Sequence, residues 1–463
     1  MKQLLFAVAL VCWGALSAVA QSPEEPLRVG TFRLDATPPL GSPLCDALVR
    51  PAARVDDPLS VRGVVILGAG KPIVLCAVDW VGIGNEGYDA WCEALARAAE
   101  TTPDRVAVHC LHQHDAPGCD FLADRIAASA GLGGKLFHVL FARQTIQRTA
   151  QAVRRAAASA QPVTHLAYGK ARVHKVASNR RLLGPEGRVR WVRYSSCRDE
   201  KVRAMPEGTI DPWCRLVAFF QGTRPLCVLT YYATHPQSYY GQGAISADFV
   251  GLARTLRQQA VPEALHIHFN GAGGNVAAGK YNDGSPRMRP ILARRLAQGM
   301  AEAWHQALQN RVPVSARQLR WRTVQVALPP RMETLDEKKL LADLHNHKLP
   351  QRPRLRAARD LAWLRRCQAG HKITLSCLEL GPVRLVHMPG ELFVEYQLAA
   401  QKMCPQAMVC MAAYGDYGPG YIGTRESYSQ GGYETSRVSR TAPEVEGVLM
   451  DGLRRLLQVA DEP

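Results

Sequence analysis

Leu111-His112-Gln113-His114-Asp115-Ala116-Pro117-Gly118 sets two imidazoles two residues apart, directly behind the apolar run Val106–Cys110. Residues i and i+2 of an extended segment project to the same side, so both rings can converge at a strand's end, where ligands bind in α/β sheets. The pattern fits metal binding or catalysis, and it fits equally a polar turn with surface histidines. Ala233-Thr234-His235-Pro236 repeats the arrangement behind the apolar run 226–232, with Pro236 ending the strand and fixing the backbone at its mouth. Two strand-end histidines in one architecture point to one shared site.

Three further stretches carry chemistry. Asn270-Gly271-Ala272-Gly273-Gly274-Asn275 lacks the dinucleotide GxGxxG spacing and a following GK[ST]. It reads as close backbone passage beside a ligand or metal, with Asn275 offering a polar group. Glu391, in Met388-Pro389-Gly390-Glu391, is a carboxylate at a strand-to-helix turn, and it is either a helix N-cap or a ligand. Tyr414, Tyr417, Tyr421, Tyr428 and Tyr433 lie in a glycine-rich run that reads either as a loop closing over a site or as aromatic packing at a domain edge.

The elements that must position these residues are legible in the hydrophobic periodicity. Segments 64–67, 73–78 and 106–110 read as buried strands, with a helix over 91–99 and an amphipathic helix over 137–158. Strands follow at 215–220, 226–232 and 266–269, and helices at 250–259 and 290–309. Segment 340–367, with Pro350 and Pro353 in its middle, predicts a helical hairpin inserted between sheet elements; 373–380 and 383–388 form a β-hairpin around Gly381-Pro382. Strands separated by helices predict an α/β fold of layered mixed sheets flanked by helices. No internal repeat is visible.

The chain has 463 residues, 47% hydrophobic and 21% charged, a globular composition long enough for a large core. Lys and Arg total 57 against 40 Asp and Glu, a net charge of +17 that favours peripheral contact with anionic surfaces such as lipid head groups. No nucleic-acid-binding motif accompanies the charge, which argues against nucleic acid as a partner. Lys2, the apolar run 4–16 and the small residues Ala18 and Ala20 predict a cleaved signal peptide over 1–20 and a secreted or periplasmic protein. The run is well short of the roughly 20 residues that cross a bilayer, so the mature chain has no expected transmembrane segment; a retained N-terminal anchor is the other reading, in the same compartment. Loss of Cys12 leaves twelve cysteines without a CxxC pair. Cys76, Cys110 and Cys227 read as small buried hydrophobes, and a Cys110–Cys119 bridge is open.

Taken in order, these stretches resemble the neutral ceramidase family, non-lysosomal zinc amidases that cleave N-acylsphingosine. The matching residues are His112-Gln113-His114-Asp115-Ala116-Pro117-Gly118, Ala233-Thr234-His235, Pro389-Gly390-Glu391, and Tyr421-Ile422-Gly423-Thr424 through Glu426, Tyr428, Tyr433 and Glu434. The resemblance implies one large metallohydrolase-type domain over 27–445, with the helical insertion near 335–370 and a C-terminal helix and tail over 446–463. It implies Zn²⁺ held by His112, His235, Glu391 and Tyr421, with His114 beside the metal and engaging substrate. It further implies Tyr433 as the group stabilising the oxyanion and Arg180 lining the site, with Arg181 as competitor for that role.

The function implied is a secreted zinc-dependent amidohydrolase cleaving a lipid-like N-acyl substrate, with sphingolipids the family's own class. A non-catalytic metal- and surface-binding relative and an esterase using the same zinc are the alternatives. Asp115 stands where the family has Ser, and it would bind the metal, orient His114 or favour a cationic substrate. The chain also ends before the β-sandwich domain that ceramide-degrading members carry.

Overall fold

The computed structural model describes residues 26–68 and 70–459; the signal peptide read over 1–20, with Cys12, lies outside the described residues. Three units of the same topology make up the fold. In the first, β1 (Arg28–Asp35), β2 (Ser60–Leu67) and β3 (Ile73–Val78) run antiparallel, and helix α1 (Glu86–Ala99) crosses to β4 (Val106–Cys110), which pairs parallel to β3. Helix α2 (Val139–Ala158) then packs on β1 and β2. The second unit repeats this with β5 (His165–Arg172), β6 (Trp213–Gln221), β7 (Arg224–Tyr232), crossover α3 (Asp248–Ala260), parallel β8 (Leu265–Asn270) and covering helix α4 (Met288–Gln309).

The third unit begins at β9 (Leu319–Val326) and departs for the predicted helical hairpin, α5 (Glu337–His345) and α6 (Gln351–Gln368). Pro350 and Pro353 fall at the start of α6, where a missing N–H costs no hydrogen bond. The chain resumes with β10 (Ile373–Leu380), β11 (Val383–His387), crossover α7 (Val394–Met403), parallel β12 (Met408–Ala412) and helix α8 (Val445–Leu457), packed on β9 and β10. The sequence shows no repeat because the shared feature is backbone connectivity, which many unrelated apolar patterns satisfy.

The repeated topology explains where the site lies. Each unit's parallel pair ends in the same direction as its partner strand, and the three pairs meet. Cys110 N donates to Tyr414 O at 2.9 Å, Ala413 N to Asn270 O at 3.0 Å and Asn270 Nδ2 to Leu111 O at 3.3 Å. An apolar cluster drawn from all three sheets, including Leu75, Leu229, Phe269, Leu385 and Ala412, fills the junction beneath them. The inner strands β2 and β7 are therefore covered on both faces and read as nearly continuous apolar runs, whereas the outer β1, β5 and β9 alternate buried with exposed residues.

A buried ion pair ties the first unit to the second. Asp79, just past β3, accepts two bonds from Arg254 on α3, at 2.6 and 2.8 Å, and is further bonded by Ser60. Burial alone would raise the Asp79 pKa, but Arg254 outweighs it and the group sits below its ordinary value. The pair's contribution is thus fully present above the ordinary carboxylate pKa and is lost as pH falls through the lowered one. Asp79→Ala leaves Arg254 buried without its partner and is expected to cost about 3–5 kcal/mol, read by urea denaturation at pH 7.

Candidate metal centre

His112 leaves β4 in the left-handed region, φ 71°, and not on the extended segment expected from the HxH spacing. Its backbone N donates to Trp80 O at 2.9 Å, which bends the chain over the end of β3. His235 follows β7, its N bonded to Val276 O at 2.8 Å. Glu391 and Tyr421 are register partners in a two-residue parallel ladder, Glu391–Leu392 with Tyr421–Ile422. Glu391 makes no N-cap, since α7 begins after Phe393 and carries no side-chain cap.

These four side chains, separated in sequence by up to three hundred residues, converge. Glu391 Oε2 lies 3.2 Å from His112 Nε2 and 3.0 Å from His235 Nε2, and Tyr421 Oη lies 3.0 Å from His235 Nε2. His112 Nδ1 faces Val81 O at 2.6 Å and His235 Nδ1 faces Gly273 O at 2.6 Å. A carbonyl only accepts, so each Nδ1 carries the proton and each Nε2 turns a bare lone pair toward Glu391. Two lone pairs and a carboxylate oxygen lie within 4.8 Å of one another and call for positive charge among them; Arg180 Nη1 supplies part of it, 3.2 Å from His235 Nε2. Two imidazoles, a carboxylate and a phenol are a donor set that suits Zn²⁺.

The surroundings hold this arrangement in place. Glu391 Oε1 accepts from Tyr417 OH at 2.7 Å, leaving Oε2 for the centre. Burial alone would raise the Glu391 pKa, and positive charge at the two Nε2 positions outweighs it and keeps the group well below its ordinary value, a charge that a bound cation supplies there as well. Arg180 packs behind Tyr421 and donates to its Oη at 3.1 Å, while Glu434 pairs with Arg180 at 3.1 Å and with Arg181 at 3.3 Å. Burial holds the Tyr421 pKa well above its ordinary value, and Arg180 opposes that rise without outweighing it. Of the two arginines, Arg180 is the one at the centre; Arg181 turns to Ser427 O and Gln430.

His114 and Tyr433 open onto the centre from one side, and both line a cavity of about 80 Å³ with His112, Glu391 and Tyr421. His114 Nε2 stands 3.3 Å from His112 Nε2, its ring meets Tyr240 edge-on at 4.6 Å, and its buried Nδ1 has no hydrogen-bond partner among the described residues. Burial, then His112 and His235, hold its pKa well below the ordinary value, so the ring is neutral. Tyr433 is 39% exposed, with its pKa pushed up to about 12 by burial against Glu391.

Asp115 neither joins the donor group nor bonds His114. Its Oδ1 accepts from Gly241 N at 2.8 Å and its pKa is raised to about 6 by burial, so it fastens the loop that carries Tyr240. Asn275 also turns away, accepting from Val394 N at 2.9 Å and donating to Glu395. The tyrosine-rich run divides: Tyr414, Tyr417 and Tyr421 are built into the centre, Tyr433 stands at its rim, and Tyr428 bonds Ser439 and Thr441 away from it. The described cysteines are free thiols, Cys110 and Cys119 included, so the bridge left open by the sequence is not formed. Tyr417 went unassigned because nothing in a lone tyrosine of a glycine-rich run reveals which carboxylate it faces.

The glycines behave as read. A Cβ on Gly274 would lie 2.3 Å from Glu391 O and 2.9 Å from Leu392 O, both backbone atoms that cannot swing aside. Gly274→Ala is therefore expected to displace the Glu391 ladder, costing about 1–3 kcal/mol of stability and lowering bound metal per chain in elemental analysis.

The fold is similar to solved structures. A neutral ceramidase from Pseudomonas aeruginosa matches at TM-score 0.67 and 18% identity, covering 95% of this chain and 76% of its own. The chain has the neutral ceramidase fold. A second structure, a ceramidase complexed with C2, matches at TM-score 0.65 and 18% identity, covering 94% and 74% of the two chains. No family model and no curated protein matches the sequence. At 18% identity the likeness fixes the neutral ceramidase fold and leaves the chemistry to the residues of this chain. Among the described residues no helix is long and apolar enough to cross a membrane.

Proposed function

We propose that the chain is an exported zinc-dependent amidohydrolase, with residues 27–445 as its catalytic domain, acting on an N-acyl compound. The observation that carries this reading is the convergence of His112 Nε2, His235 Nε2, Glu391 Oε2 and Tyr421 Oη on one buried point. The likeness in fold to structures titled as ceramidases supports an N-acyl substrate. The basic, apolar and small-residue order of residues 1–20 supports export.

Zinc bound there supplies Lewis acidity, which activates water at neutral pH and polarises a carbonyl. The chain's own residues do the rest. His114, neutral and open to the cavity, accepts a proton from the attacking water and returns it to the leaving nitrogen. Tyr433, still protonated at neutral pH with its pKa near 12, donates its hydroxyl hydrogen to the developing oxyanion. Arg180 acts through Tyr421, to whose oxygen it donates, and Tyr417 fixes the carboxylate of Glu391.

The test is elemental analysis of the purified protein, followed by hydrolysis of N-acyl substrates with and without chelator. One zinc per chain with chelator-sensitive amide cleavage is the expected result. Bound zinc without any cleavage would favour a non-catalytic metal-binding protein, and cleavage of esters alone an esterase.

A further inference from the structure

The cavity over this centre is walled by cations. Arg352, Arg356 and Arg359 project from one face of α6, at spacings of four and three residues, and Arg437 and Arg440 face them from the tyrosine-rich segment. Two of the five are neutralised, Arg359 by Asp46 at 2.9 Å and Arg440 by Asp360 at 2.6 Å. The other three are not. Arg356 and Arg437 are exposed and have no ion pair or hydrogen bond among the described residues, and Arg352 donates only to the Leu48 carbonyl. Glu333, Asp336 and Asp343 line the neighbouring groove beyond Arg352 and Arg356, yet none pairs with them.

Surface arginines ordinarily serve solubility, and a net charge of +17 supplies many of them. Position sets these apart. Three like charges ring a cavity of about 80 Å³ that already borders Arg359, Arg440 and a candidate cation site, where low-dielectric walls focus the field. Such a rim is self-repelling until an anion enters. Between the arginines the lining is apolar and aromatic, with Leu48, Val81 and Val438 beside the rings of Tyr417, Tyr421 and Tyr433.

We propose that this rim selects substrates bearing a carboxylate, or an oxyanion of like charge, within a few atoms of the scissile amide. The proposal rests on the hydrolase reading above. The guanidinium forks of Arg356 and Arg437 match a carboxylate in geometry as well as charge. Cleavage adds the hydroxyl of water to the acyl carbon as the C–N bond breaks, and its remaining proton goes to nitrogen; a carboxylic acid and an amine result, with no other reactant.

Two matched pairs of probes test it. N-octanoylglycine against N-octanoylglycinamide places the charge on the amine side, and N-octylsuccinamic acid against its primary amide places it on the acyl side. Binding by calorimetry and kcat/KM are measured on the zinc-loaded full chain. The charged member of at least one pair should be favoured by roughly tenfold at low salt, the advantage shrinking as salt screens exposed charge. R356A/R437A should flatten the preference and R356K/R437K should retain most of it. Equal values within both pairs, or a preference that survives R356A/R437A, overturns the proposal. Preferential binding without chelator-sensitive cleavage upholds the anion rim and defeats the hydrolase reading, whereas cleavage without preference does the reverse.

Discussion

Replacing His235 by alanine is expected to abolish zinc retention and, with it, amide hydrolysis. His235 Nε2 stands 3.0 Å from both Glu391 Oε2 and Tyr421 Oη, so its loss removes the donor that two others face. Lewis-acid stabilisation is worth several kcal/mol, so turnover should fall by about 10³-fold or more. Elemental analysis after dialysis and initial rates at saturating substrate check both halves. Because His235 is buried, thermal unfolding must be read alongside. Asp79→Ala, which weakens the fold without touching a donor, gives the comparison: it should lose stability and keep its zinc. An alanine variant with full zinc and full rate would remove His235 from the centre.

Tyr433→Phe is expected to do the opposite, keeping zinc and losing turnover. Among the described residues the Tyr433 side chain makes no hydrogen bond to Glu391, His112 or His235, and it meets Tyr421 ring to ring at 5.7 Å between centroids, so metal retention has no reason to change. Removing one oxyanion donor typically costs about 10²–10³ in kcat, or roughly 3–4 kcal/mol. The residue is 39% exposed, and phenylalanine preserves its edge contact with Tyr421, so stability should be unaltered. An unchanged kcat would take the oxyanion role away from Tyr433 and leave it as part of the cavity wall.

Much of this was readable from local pattern. Apolar runs placed the strands before His112, His235 and Glu391 because a strand covered on both faces must be apolar throughout, and the prolines of 350–353 marked the turn between α5 and α6. The resemblance also named, residue by residue, four side chains that the fold brings together. The local geometry behind it was not legible. His112 reaches the centre through a left-handed backbone and not through strand alternation, and Glu391 through a two-residue ladder with Tyr421 that no periodicity reveals. Asp115 is likewise directed by a distant contact, Gly241 N, far along the chain.

By itself, then, the sequence determined which residues could act and on what kind of element each stands, because hydrophobic period and side-chain chemistry are properties of a dozen neighbouring residues. Only the tertiary structure decided that three units of one topology point their parallel strands at the same place. It alone separated Arg180 from Arg181, drew Tyr417 onto Glu391 and left Arg352, Arg356 and Arg437 around the cavity without carboxylate partners. Those outcomes depend on contacts between residues hundreds of positions apart, and their energies are fixed by packing and burial that no local stretch of chain contains.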